Sequence, residues 1–167
     1  MPDEEFRTFL ERYSRKVLTV AARVLGSTTD AQDVHQEVFL AIWRRWDTYD
    51  GQTDWGAYLY RTTVRKALEL AKRSRSRRSL PVQSQLPTSR QGPDSRLRAD
   101  ELRERLAQSL AKLPRDQAMA FVLSRLEGLG AEEVAQVLGC SPGALKVRLH
   151  RATRRLAREL NDYLVER

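Results

Sequence analysis

With a single cysteine, Cys140, the 167-residue chain cannot close an internal disulfide, so packing and polar contacts alone must hold it together. Cys140 falls in a turn where a small residue fits, and packing is its expected role. Histidine is nearly as scarce. His35 and His150 lie in different parts of the chain, and no cysteine and histidine cluster has metal-ligand spacing. Proline is absent between Pro2 and Pro81, which leaves the first part of the chain free to be helical. No apolar run approaches the roughly 18 residues of a membrane-spanning helix. The chain opens on Asp3, Glu4 and Glu5 rather than on the basic and apolar stretch of a signal peptide, so a cytoplasmic protein without membrane insertion is expected. Nothing resembles a nucleophile with its base and orienting group, or a glycine loop that cradles phosphate. The expectation is therefore no enzyme, no catalytic residue, no metal and no cofactor.

What the chain has in quantity is positive charge, unevenly placed. Lys and Arg number 30 against 22 Asp and Glu, a formal net charge of +8. Residues 1 to 71 carry 10 basic against 11 acidic side chains, and residues 72 to 167 carry 20 against 11. A polyanionic partner is expected to meet the second part.

Hydrophobic periodicity divides the chain into two helical units, with no strand pattern. Phe6, Leu10, Tyr13, Val17, Val20, Ala21 and Val24 keep a helical period that Gly26 ends. Ser27, Thr28, Thr29 and Asp30 offer caps for a second helix to about Trp46, with Val34, Val38, Ala41 and Ile42 on one stripe and Phe39 and Trp43 on another. A polar loop, Asp47 to Asp54, precedes a third helix from Trp55 to about Arg73. Residues 74–96, with three prolines and many serines, read as a flexible linker because they cannot bury enough surface to offset their ordering entropy. From residue 97 a second unit starts: Leu102, Leu106, Leu110 and Leu113 mark one helix, and Pro114 opens another through Leu126.

The segment from Leu126 to Leu156 writes a helical pair. Gly139 can end the first helix in the left-handed conformation, Ser141 is a suitable N-cap, and Pro142 fits the first helical position. Leu145, Leu149, Ala152 and Leu156 form one apolar stripe, while Lys146, Arg148, Arg151, Arg154, Arg155 and Arg158 crowd the other side. That is a helix-turn-helix with a cationic second helix, whose early residues reach base edges and whose later cations reach phosphates. Pro142, Gly143, Ala144, Lys146, Val147 and His150 fall on the base side, Arg148, Arg151, Arg154 and Arg155 near the backbone, and Ser141 at the helix start is counted with the DNA-binding residues. A second constellation interleaves aromatic and basic residues from Trp46 to Lys66, which suits stacking on unpaired bases. There Trp46, Trp55 and Leu59 are expected inside, with Tyr49, Arg61, Arg65 and Lys66 facing DNA.

With both units on the page, the chain resembles an extracytoplasmic-function sigma factor, the smallest type of bacterial RNA polymerase sigma subunit. DAQDVHQEVFLAIWR, from Asp30 to Arg44, resembles the segment by which that family grips polymerase, and LEGLGAEEVAQVLGCSPGALKVRLHRA resembles its promoter-reading hairpin. The resemblance implies an all-α fold of two small domains joined by a flexible linker. Residues 1–73 would be a region 2-like domain that binds core polymerase and the minus-ten element, and 97–167 a region 4-like helix-turn-helix for the minus-thirty-five element. Asp30, Asp33, Gln36, Glu37, Leu40 and Arg44 would meet polymerase, and the loop from Tyr49 to Asp54 would choose an extruded base. The implied partners are bacterial core RNA polymerase, promoter DNA and an anti-sigma factor. Asp30, Asp33 and Glu37 also have the spacing of a carboxylate cluster, but no further ligand completes a metal site.

The chain departs from the family pattern at several places. Members commonly place a hydroxyl residue at the positions of Ala144 and Val147, Asn at Arg65, Asp at Glu69, and a small apolar residue at His35. Two rivals stay open on sequence grounds: a polymerase-independent helix-turn-helix regulator, and a sigma-like decoy that acts only through protein interaction.

Overall fold

Three acidic residues in the first turn and Gly26 beyond the last bracket α1, Pro2–Leu25, in the computed structural model, which describes residues 2–78 and 94–165. The acids complement the positive end of the helix dipole. Gly26 takes φ 63° and donates its N–H to the Ala22 carbonyl at 2.8 Å. The Ser27 hydroxyl then accepts the Asp30 N–H at 3.2 Å and starts α2, Thr28–Trp43. A 3-10 turn at Trp46–Thr48 and an exposed loop lead to α3, Trp55–Arg78. Val17, Val20, Ala21 and Val24 of α1, Val34, Val38 and Ile42 of α2, and Leu59, Val64 and Leu68 of α3 are buried together. Each valine, leucine or isoleucine buried this way stabilises the unit by about 1.5–3 kcal/mol before chain entropy is counted.

The second unit comprises α4, Asp94–Lys112; α5, Arg115–Phe121; α6, Ala131–Leu138; and α7, Pro142–Val165. Gly139 ends α6 at φ 61°, and the Cys140 N–H reaches back to the Ala135 carbonyl at 3.0 Å, the Schellman-type closure its sequence implied. The Ser141 hydroxyl accepts the Ala144 N–H at 3.2 Å and starts α7. Leu145, Ala152 and Leu156 are buried, and Leu149 is partly so.

Several boundaries differ from the sequence reading, beginning with α2, which ends at Trp43 rather than about Trp46. The third helix runs to Arg78 rather than about Arg73, because the basic run from Lys72 contains good helix formers and no breaker before Pro81. With α4 starting at Asp94, residues 74–78 and 94–96 of the expected linker are helical, and 79–93 lie outside the described residues. The helix opened by Pro114 is also not α-helical to its end. Val122–Leu126 forms a π turn, in which the Glu127 N–H bonds the Val122 carbonyl at 2.9 Å. Such a turn carries one extra residue, and here the consecutive Val122 and Leu123 are both fully buried.

The units touch. α4 packs on α1 and α3, α5 and α6 pack on α3, and the buried side chains form one continuous apolar cluster. Every regular element among the described residues is helical.

Candidate nucleic-acid and partner interfaces

α2 turns one stripe into the core, which leaves the opposite stripe to solvent. Asp33, Gln36, Glu37, Leu40 and Arg44 are all exposed on it, as the sequence predicted, and Leu40 is 52 % exposed despite being apolar. Asp30 is set apart from these five. It is partly buried and lines a crevice between the start of α2, the end of α3 and α4. Glu37 is engaged already, its carboxylate 3.2 Å from the Lys66 ammonium on α3. One predicted polymerase contact is therefore tied to one predicted DNA contact.

Beside this strip lies an almost wholly apolar groove of about 330 Å³, lined by Phe6, Leu10, His35, Gln36, Phe39, Leu40 and Trp43. Sequence reasoning took Phe6 and Leu10 only as members of the helical period of the first helix and missed their part in an open groove. The signal was available in Leu40 and Trp43, three apart on the helix and both more than two-fifths exposed. His35 also lines the groove. Its Nε2 lies 2.6 Å from the Ser14 hydroxyl, its ring packs on Phe39 at 4.7 Å, and burial holds its pKa below the ordinary histidine value.

Next to the groove, where Phe6 meets Trp46 at 5.1 Å between ring centroids, an aromatic cluster supports the loop. Phe9 contacts Trp46 and Trp55 at 5.2 and 4.8 Å between ring centroids, and Trp46 stacks on Tyr49 at 6.0 Å. Trp46 and Trp55 are only partly buried, while Leu59 is fully so. Tyr49 lies over this platform with an exposed face, and the whole loop from Tyr49 to Asp54 is exposed. Asp50 accepts the Gln52 N–H at 3.0 Å and Gly51 sits at φ 78°, so the loop is shaped by its own polar groups. Arg61 and Arg65 project outward one turn apart on α3; Arg65 is 4.0 Å from Glu69. An exposed tyrosine on an aromatic base can stack on an unpaired base.

The second helix of the hairpin offers the other nucleic-acid face. Ser141, Pro142, Gly143, Lys146, Val147, His150, Arg151, Arg154 and Arg155 are exposed, and Ala144 is partly so. Arg148 is less free than expected, since its guanidinium lies 3.4 Å from Asp116 on α5. Val147 is 47 % exposed, an apolar side chain standing between Lys146 and Arg148 in sequence. Among the described residues no helix is long and apolar enough to cross a membrane.

Residues 9–78 match the family model for sigma-70 region 2, and residues 103–156 match that for sigma-70 region 4. The ECF RNA polymerase sigma-E factor of Escherichia coli is 30 % identical over 157 residues, covering 88 % of this chain and 82 % of that protein. The RNA polymerase sigma-H factor of Pseudomonas aeruginosa is 27 % identical over 171 residues, covering 96 % and 89 %. CnrH, solved in complex with the cytosolic domain of CnrY, superposes with a TM-score of 0.61 at 28 % identity, over 96 % of this chain and 90 % of that one. Both sigma regions, in order and each on its own helical unit, make this chain a member of the extracytoplasmic-function RNA polymerase sigma factors.

Proposed function

We propose that the chain binds core RNA polymerase through the outer strip of α2 and the groove beside it. The Tyr49 loop with Arg61, Arg65 and Lys66 then holds the melted minus-ten strand, while the early residues of α7 read the minus-thirty-five element. The observation that carries this reading is the pairing on one chain of an exposed apolar and acidic helix face with a separate cationic recognition helix. A polymerase-independent regulator would use the second and leave Leu40, Trp43 and their groove exposed to water without purpose. Two weak DNA contacts, joined on one polymerase, gain from effective concentration, so the holoenzyme binds promoters well and the free chain poorly. The chain supplies recognition and strand capture, and polymerase supplies the bond chemistry. Because CnrH is held by another protein's cytosolic domain, the same groove here is read as also open to an anti-sigma factor in competition with polymerase.

Co-elution of the full chain with bacterial core RNA polymerase tests the proposal. The wild type is expected to co-elute, and Glu37→Lys to be lost from the complex while remaining folded. Failure of the wild type to bind core, with tight binding of duplex DNA by the chain alone, would favour the independent regulator.

A further inference from the structure

The outer face of α1 carries charge of one sign. Arg12, Arg15 and Lys16 are all exposed, and from Arg12 to Leu25 the chain has no acidic residue. Glu11, four residues before Arg15, is the nearest acid in sequence, and no ion pair joins them. Among the described residues Arg12, Arg15 and Lys16 meet no carboxylate at all. Like charges three and four apart on a helix repel, so the stripe is unfavourable in the free chain and is relieved by an anion laid along it.

Ring contacts join this stripe to the Tyr49 loop. The Arg12 guanidinium lies 5.5 Å from the centroid of the Tyr13 ring. Tyr13 packs on Phe9 at 4.8 Å, Phe9 on Trp55 at 4.8 Å, and Trp55 on Tyr49 at 4.9 Å. One turn beyond Arg12, the Lys16 ammonium lies 4.1 Å from the centroid of Tyr60 on α3. A cation seated over a ring is held in place and keeps N–H groups for a phosphate. Ser14, two residues earlier, meets His35 of α2, so Lys16 lies on the α3 side of α1 and the stripe is turned away from the outer strip of α2. The loop itself carries no cation. Between Tyr49 and Trp55 stand Asp50 and Asp54, each using a carboxylate oxygen on a backbone N–H. A strand with a base on Tyr49 finds nothing in the loop to neutralise its backbone.

We propose that Arg12, Arg15 and Lys16 form a phosphate track for the single strand that passes the Tyr49 loop. The rings set where a base stacks, and the stripe joined to them takes the phosphates of flanking nucleotides. Continuity with a stacking platform, which serves unpaired bases alone, favours a single strand over duplex. The placement beside a captured strand rests on the strand-holding role given above; the affinity of the stripe for single-stranded DNA does not.

The test is binding of a fluorescent oligothymidine by the full chain, read by anisotropy across a salt series. Arg12→Gln, Arg15→Gln and Lys16→Gln combined should lower the slope of log affinity against log salt by about two, at roughly 0.7 for each phosphate neutralised on a single strand. Each single Gln variant should lower it by about 0.7, and the charge-preserving set Arg12→Lys, Arg15→Lys and Lys16→Arg should keep the wild-type slope. Co-elution of the triple Gln variant with core polymerase should be unchanged, because the stripe lies off the α2 strip. An unchanged slope in the triple Gln variant, or a loss seen on a duplex hairpin and not on oligothymidine, would overturn the track. Loss of core binding by the folded triple variant would overturn it too, by making the stripe a polymerase contact. Oligothymidine binding requires no polymerase, so the expected slopes in a chain that supports no transcription would sink the sigma reading and leave the stripe standing. Transcription by the wild type with an unchanged slope in the variant would do the reverse.

Discussion

Val147 shows how much one side chain can decide at the residue scale. An exposed isopropyl group on the base side of a recognition helix has one favourable apolar target in the major groove, the thymine methyl. Val147→Ser is therefore expected to relax selection for thymine at one minus-thirty-five position, by about 1 kcal/mol, in a promoter-library selection with holoenzyme. Unchanged base preference would remove Val147 from the reading set. Arg151, exposed and without an ionic partner among the described residues, is assigned to phosphate. Arg151→Ala should weaken binding across sequences and lower the salt slope by about one unit. An altered base preference at constant slope would contradict that assignment. His35 carries the pH dependence. Burial lowers its folded pKa, so its neutral form is free of penalty above the unfolded value of about 6.5, and stability is lost as pH falls through that value toward the folded one. The urea midpoint of the wild type should fall more between pH 7.5 and pH 5.5 than that of His35→Gln. Equal falls would show that His35 does not carry it. The Glu37 and Lys66 pair was invisible in sequence because its partners are 29 residues apart on different helices. Its exposure limits its worth to about 1 kcal/mol or less, which is why charge reversal at Glu37 should spare the fold.

Helices were the most legible elements, because caps and periodicity act locally. Gly26, Ser27, Gly139 and Ser141 were each assigned a terminus from sequence, and each performs it in the structure. Ser141→Ala should cost about 1 kcal/mol of stability through one lost cap bond at the mouth of the recognition helix. Gly139→Ala has open space for its methyl group but a backbone that L-residues disfavour, so it should cost about 1–2 kcal/mol by strain alone. Chemical denaturation measures both, and no loss in either would refute the capping account. The π turn was not legible: Val122–Leu126 satisfies a helical period, and only the tertiary demand that both Val122 and Leu123 be buried selects the wider turn. The overrun of α3 to Arg78 has a similar cause, since a basic, serine-rich segment reads as linker by composition while each of its residues tolerates a helix.

At the scale of the whole molecule, the chain spreads one task over two units of opposite character. The first is nearly neutral, and the second is strongly basic. Composition revealed that asymmetry, and the quoted segments revealed both regions in the right order. How the units pack could not be read, because ion pairs such as Arg23 with Glu127 join residues 104 positions apart and leave no local pattern. The groove beside α2 was half legible for the same reason: Leu40 and Trp43 share a helix, whereas Phe6 and Leu10 arrive from α1. The account stands or falls on initiation. The direct measurement is in vitro transcription by bacterial core RNA polymerase on a pooled library of genomic fragments, with and without the chain. Discrete start sites that appear only with the chain, share two upstream elements, and vanish with Glu37→Lys are the predicted result. Full co-elution with core and no transcript from any fragment would contradict it and leave a decoy in its place.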